Sequence, residues 1–378
     1  MFKVLFFLQI ALFGTFTPTD KPDKQLSQLS ALEIKKIFQE ANETFKSRAL
    51  VATLDSLCHK FNGSILLAFG NDVLYKKEVG YKRLAKKTSD NVINSATLFD
   101  LASISKQFTA AAILKLNEEK RLNLNDELTK FLPYFPYKNI TVKHLLTHTS
   151  GLPEYMDFPE KDFPRNEPLS NRQLESYLER VKPKIIFQPG AKFKYTNTNY
   201  ALLALVVEQI ANLSFETYVR KEIFKPAGMH STCFATELNA QTNYATGHLA
   251  DETERPFHFQ NGVIGDKGVY SNVEDIYTWL KAYLIDYTIL PKEVVAMATQ
   301  PQNKILKGIP PTELYGYGYR IEDAGNGYLI YHGGLWRGFQ NNMVYRPKDR
   351  YIFIVLSNFR NRAIIGVNDI LLRIIDGA

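Results

Sequence analysis

The order of periodicities along the chain predicts an α+β fold. N- and C-terminal strands form one antiparallel sheet, terminal helices flank it, and a mostly helical lobe at about 107–260 is inserted between the strands. Three observations carry this. Apolar residues recur with period two at Ser64–Phe69 and Val73–Tyr75, the pattern turns helical after Ser103, and it returns to period two between Tyr315 and Leu356. Strands grouped at both ends around a helical middle argue against an alternating βαβ fold. With 378 residues, 45% of them hydrophobic and 22% charged, the chain can bury a substantial core.

Taken in order, Lys3 followed by the ten-residue run Val4–Phe13, broken only by Gln9, has the form of a secretory signal. Ten residues are too few to span a bilayer, and no later stretch is long enough. Residues 1–19 are therefore expected to be a signal peptide and 20–44 a leader plus the start of the first helix. Residues 45–378 are expected to form one domain, exported to the periplasm or secreted. Helical spacing runs through 31–60, with Leu32, Ile34, Ile37, Phe38, Phe45, Leu50, Leu54 and Leu57. Gly70-Asn71-Asp72 turns a hairpin. A buried helix runs from Ser103 to about Lys120, and Pro153–Pro168 forms a long aromatic loop suited to a lid or pocket wall. In the C-terminal part, Tyr315–Ile321 reads as a strand that turns at Ala324–Gly327 into Tyr328–His332. Asn342–Tyr345 and Tyr351–Leu356 pair around Pro347-Lys348-Asp349, and an amphipathic helix through Ile364–Ile374 closes the chain.

The net charge of +7 comes from scattered lysines with no aromatic-interleaved basic stripe, so nucleic-acid binding is not expected. Cys58 and Cys233 are the only cysteines, and whether they pair is open at this level. No Cys-x-x-Cys or His-Glu-x-x-His occurs, so neither metal nor cofactor is expected.

Three clusters carry chemistry. Ser103 is the only serine with a lysine three residues on, and that spacing puts Ser103 and Lys106 on one helical face. The following run, Phe108 to Leu116, is almost wholly apolar. A lysine at its start is desolvated, its pKa falls, and the neutral amine can accept a serine proton. Tyr195 and Asn197, two apart, would point the same way in an extended chain. Tyr195 offers a phenol for proton relay, and Asn197 an amide to hold either a substrate carbonyl or the Lys106 amine. By themselves they read more simply as a packing Tyr and a helix-capping Asn. In Tyr331-His332-Gly333-Gly334-Leu335-Trp336-Arg337, the two glycines either admit a ligand close to the backbone or make a tight turn.

Together, Ser103-x-x-Lys106, Tyr195-x-Asn197 and His332-x-Gly334 resemble, in order and spacing, the serine β-lactamase and penicillin-binding protein superfamily. The resemblance is greatest to the branch of class C β-lactamases, D-aminopeptidases and carboxylesterases. Leu101–Ala110, Leu145–Pro153 and Gly265–Ser271 resemble further landmarks, so the likeness covers roughly residues 45–375. It implies a serine hydrolase that forms an acyl-enzyme on an amide or ester of a small-molecule or peptide substrate, with Ser103, Lys106 and Tyr195 catalytic. Asn197, His332, Gly333, Gly334, Leu335 and Arg337 would bind substrate, and the N–H groups of Ser103 and Leu335 would form the oxyanion hole. His332 stands where many relatives carry Lys, which weakens the case for substrates bound through a carboxylate unless Arg337 restores the charge. His148, taken as remote from the three motifs, reads as structural. The alternative function is a silent sensor or scaffold that keeps the fold without turnover.

Overall fold

The computed structural model describes residues 31–59, 61–163, 165–255, 258–303, 314–324, 327–360 and 366–377. The expected signal segment and the turn residues Gly325 and Asn326 lie outside them. The described residues fall into two compact units, one comprising those up to 59 and from 366 on, the other those between 61 and 360. In the first, helix α1 (Ala31–Cys58) and a C-terminal helix (Val367–Asp376) pack together, and Lys46 Nζ donates to the Ile375 carbonyl at 2.8 Å.

The second unit is built on the expected sheet. Its strands are β1 (Gly63–Phe69), β2 (Asp72–Val79), β6 (Leu314–Tyr315), β7 (Arg320–Asp323), β8 (Tyr328–Trp336), β9 (Phe339–Arg346) and β10 (Tyr351–Ser357). They form one seven-stranded sheet in the order β2-β1-β10-β9-β8-β7-β6. The joint between the chain's two ends is β1 against β10, antiparallel from Gly63↔Ser357 to Phe69↔Tyr351. Every residue of β10 is buried, which is why it reads as an unbroken apolar run rather than an alternating one. A second, three-stranded sheet joins β3 (Phe99–Asp100), β5 (Val269–Ser271) and β4 (Cys233–Phe234) in the order β3-β5-β4. Strands of two or three residues are too short to leave a period, and the sequence reading missed them. Cys58 is a buried thiol in the first unit and Cys233 a half-buried one in the second.

The helices of this unit are α2 (Lys106–Glu118), α3 (Val142–Leu146), α4 (Asn171–Val181), α5 (Asn197–Ala211), α6 (Phe215–Val219), α7 (Lys225–Ala227), α8 (Val273–Leu280) and α9 (Lys292–Ala298). Among the described residues no single helix is long and apolar enough to cross a membrane. Helix α2 is buried along Lys106–Leu114, as its apolar composition requires. Helix α8 packs on β1 and β10, and its Trp279 donates Nε1–H to Gln107 Oε1 at 2.9 Å while meeting Phe108 edge-on at 5.0 Å. Helix α2 is thereby fixed relative to the sheet.

Two C-terminal expectations need correction. The stretch Tyr315–Ile321 is not one strand but the hairpin β6–β7. Its Gly318, at φ +80°, would put a Cβ 3.0 Å from Lys106 O and Gln107 Cα, so the turn presses on the first turn of α2. Gly333 and Gly334 do not make a turn either. Strand β8 runs through both, and the chain turns at Arg337 (φ +46°) and Gly338 (φ +95°).

Candidate active site

Ser103 lies in a 3-10 turn, Ala102–Ser105, that leads into α2. Ala102 holds φ +49°, a left-handed conformation that costs a non-glycine residue about 1–2 kcal/mol. Neighbouring groups keep it there. Asp100 Oδ1 accepts the Ala102 N–H at 2.8 Å, and Asn341 Nδ2 donates to the Asp100 carbonyl at 2.8 Å. Strand β8 packs on this turn through Gly334, where a Cβ would lie 2.2 Å from the Leu101 carbonyl oxygen. Gly334 therefore makes room for the Leu101 carbonyl, two residues before the serine, whereas Gly333 is exposed and a Cβ there would meet only Asn341 O, at 3.7 Å.

Lys106 has no exposed surface, and its ammonium makes three contacts: Ser103 Oγ at 3.1 Å, Asn197 Oδ1 at 2.7 Å and the Asp266 carbonyl at 2.8 Å. Burial draws its pKa down to about 8, opposed by the carboxylates of Asp266 and Glu154 and assisted by Arg320. Of the two roles open to Asn197, the amide holds the lysine. Asn197 is the first residue of α5 rather than its cap or part of a strand. Its N–H and Nδ2 both donate to Glu154 Oε2, at 2.7 and 3.0 Å.

The Tyr195 ring lies 5.0 Å from Lys106 Nζ and stacks at 4.3 Å on His148. Its hydroxyl is buried without a hydrogen-bond partner. Burial pushes the phenol's pKa far up, and the adjacent Ser103 hydroxyl is the largest opposing influence although it is not in bonding geometry. His148 is thus not remote from the motifs. Wholly buried, it accepts the Thr196 N–H at Nδ1 (3.1 Å), packs under Tyr195, and meets Tyr315 at 4.7 Å. Its part is structural, but at the centre of the cluster.

His332 and Arg337 are placed differently from expectation. His332 is 1% exposed, with Nδ1 2.7 Å from the Gly333 carbonyl and Nε2 3.1 Å from Tyr315 Oη. A carbonyl can only accept, so Nδ1 carries the proton and Nε2 takes the Tyr315 hydroxyl. Burial, with Lys106 and Arg320 nearby, keeps the ring neutral by pushing its pKa well below the usual range. Arg337 lines a cavity of about 380 Å³ together with Arg83, Arg255, Tyr270 and Phe339, and neither Ser103, Lys106 nor Tyr195 borders it. The guanidinium beside Tyr195 is instead that of Arg320 of β7, 4.9 Å over the ring. Leu335 is 53% exposed and follows Gly334 on β8.

Four groups that the motif reading did not single out as site residues complete the cluster: Glu154, Tyr155, Asp266 and Arg320. The loop expected to be a pocket wall supplies two of them, for Tyr155 Oη donates to Asp266 Oδ2 at 3.0 Å and Glu154 holds Asn197. Gly265–Ser271, a landmark by resemblance alone, delivers the carbonyl that fixes Lys106.

Comparison with known proteins fits this arrangement. A family model described as Beta-lactamase matches residues 55–370. Penicillin-binding protein 4* of Bacillus subtilis (strain 168) is 32% identical over 316 residues, which cover 79% of this chain and 68% of that protein. Protein flp of Staphylococcus aureus (strain MRSA252) is 29% identical over 315 residues, 80% of this chain but only 60% of the relative's length. Among solved structures, a penicillin binding protein from Bacillus halodurans superposes with a TM-score of 0.72 at 26% identity, covering 87% of this chain and 98% of that one.

Proposed function

The chain belongs to the beta-lactamase family, and on that premise we propose that it is an exported serine hydrolase that cleaves an amide or ester through an acyl-Ser103 intermediate. One observation carries the reading: a wholly buried Lys106 amine 3.1 Å from Ser103 Oγ, with a pKa drawn down to about 8. An amine in that range is neutral often enough near neutral pH to take the serine proton. Ser103 Oγ then bonds to the substrate carbonyl carbon, and the carbonyl oxygen takes up negative charge facing the N–H groups of Ser103 and Leu335. The proton passes through Lys106 and Tyr195 to the leaving amine or alcohol as its bond to the carbonyl carbon breaks. Water, giving a proton back to the same pair, releases the acid and restores Ser103. Export rests on the apolar run Val4–Phe13.

Arg320 supports a preference within this class. It is the guanidinium next to Tyr195, whereas His332 is neutral and turned inward. A fixed cation there favours substrates with a carboxylate near the scissile bond, such as a D-amino-acid peptide or a β-lactam, over plain acyl esters.

The test is incubation of the purified protein with a fluorescent fluorophosphonate, a fluorescent penicillin, p-nitrophenyl butyrate and D-alanine p-nitroanilide. At least one labels the protein or is turned over, and Ser103→Ala abolishes it. Turnover that survives Ser103→Ala overturns the mechanism.

A further inference from the structure

The steps above leave one buried cation of the cluster unused. Lys267 is 3% exposed, yet its ammonium lies 3.2 Å from Asp266 Oδ2 and hydrogen-bonds Tyr155 Oη. It is boxed between the Tyr155 ring at 5.0 Å and the Trp336 ring at 4.9 Å, and Trp336 is itself held by Asn261 Oδ1 at 3.0 Å. Tyr155 in turn donates to Asp266 Oδ2 at 3.0 Å, so lysine, phenol and carboxylate close a triangle. The same Asp266 offers its main-chain carbonyl to Lys106 Nζ at 2.8 Å. The segment is also tied to α2 through the Gly265 carbonyl, which accepts from Thr109 Oγ1 at 2.7 Å.

Burying a second lysine next to the residue whose carbonyl holds the first is expensive, and an ion pair in such a place is commonly no more stable than apolar packing. Its position suggests a different use. Resting on the Ser103–Lys106 reading, we infer that Lys267 is a positioning residue for acylation. It clamps the Asp266 carboxylate onto Tyr155, so that the Asp266 carbonyl keeps Lys106 aimed at Ser103, and its charge cancels that of the carboxylate beside the Lys106 amine.

The electrostatic sign follows from the groups around each lysine. Lys106 faces Asp266 and Glu154, which hold its proton on, Arg320, which drives it off, the neutral rings of His148 and His332, and the phenols of Tyr195 and Tyr200. Burial draws the Lys267 pKa down; Asp266 and Asp100 hold its proton on, Lys106 repels it, and the ring of His258 also faces it. Removing the Lys267 charge leaves the Asp266 carboxylate uncompensated and removes a repelling cation. Both changes hold the Lys106 proton more tightly, so more base is needed to free the amine.

The experiment is the pH dependence of fluorophosphonate labelling for the wild type, Lys267→Met, Lys267→Arg and the double variant Asp266→Asn/Lys267→Met, with Ser103→Ala as the blank. In Lys267→Met the acidic limb moves up by about one pH unit, and labelling at pH 7 slows roughly tenfold. Lys267→Arg keeps the limb near its original place, and the double variant brings it back toward the wild type. Circular dichroism reports folding. Lys267→Gln, which keeps a donor for Asp266 without the charge, is read instead if the Met variant does not fold. A limb that stays put in Lys267→Met and Lys267→Gln overturns the inference while leaving the Ser103 reading intact. Absence of any Ser103-dependent labelling in the wild type overturns that reading, and the inference falls with it.

Discussion

The Arg320 guanidinium sits 4.9 Å over the Tyr195 ring, while the imidazole of His332, whose centre is 6.1 Å from that of the same phenol, is turned inward onto Tyr315 and Gly333. The third motif therefore contributes a neutral prop, and the cation comes from the neighbouring strand. If Arg320 binds substrate charge, Arg320→Ala lowers kcat/KM for a carboxylate-bearing ester by about ten- to a hundredfold, the scale of a lost charge-assisted hydrogen bond. An uncharged ester of the same leaving group loses much less. Arg337→Ala, at the separate cavity, changes either substrate by less than about threefold. Equal losses on both esters in Arg320→Ala would remove the carboxylate preference.

What could be read from the residues alone divides along sequence distance. Ser103 and Lys106 meet because three residues make nearly one helical turn, and the hairpins flanking Gly70 and Pro347 follow from local turn chemistry. The joining of β1 to β10 could be inferred from where strands and helices segregate. Asp266 and Glu154 could not be found this way, since 160 residues separate Lys106 from the carbonyl it bonds and 43 separate Glu154 from Asn197. Arg320 was hidden by a mistaken strand, because Tyr-Gly alternation imitates period two although Gly318 bends the chain. His148 is far from the three motifs in sequence but packs on Tyr195 in space. A buried His between two small polar residues, with a left-handed backbone at φ +56°, marks a packed junction instead.

If Lys106 takes the serine proton, its pKa of about 8 sets the pH response of acylation. The amine accepts the serine proton only when neutral, so the rate with p-nitrophenyl butyrate rises with pH and levels off above about 8. At pH 6, two units below, only about one molecule in a hundred carries the free amine. His332 and His148 are neutral throughout this window and add no second limb near pH 6.5. Lys106→Arg, which stays charged, lowers kcat by about 10²–10⁴-fold at every pH. A flat profile between pH 6 and 9 would rule out Lys106 as the base.

Glu154 acts on the same lysine with the opposite sign from Arg320. Its carboxylate, itself pushed up by burial, accepts from Asn197 and favours the protonated form of Lys106. Glu154→Gln keeps an acceptor for Asn197 but removes the charge, so the Lys106 proton leaves more easily. The acidic limb of the profile then moves down, by about half to one pH unit. A limb that moves up would mean that the main effect of Glu154 is to position Asn197 rather than to tune charge.

Gly333 and Gly334 adjoin each other on β8 but face different constraints. At Gly334 a Cβ would lie 2.2 Å from the Leu101 carbonyl, which is backbone and cannot swing aside. Gly334→Ala therefore drives β8 away from the turn that carries Ala102 and Ser103, at a cost of about 1–3 kcal/mol in urea unfolding, with fluorophosphonate labelling all but lost. At Gly333 the nearest atom is 3.7 Å away, an ordinary contact, and the backbone φ is not positive. Gly333→Ala keeps the stability within about 0.5 kcal/mol. It retains Ser103 labelling by small probes while slowing bulky acyl groups, because the added methyl sits on an exposed strand position beside the oxyanion candidate Leu335. Equal behaviour of the two variants would mean that the close approach of Gly334 to Leu101 does not hold the serine in place.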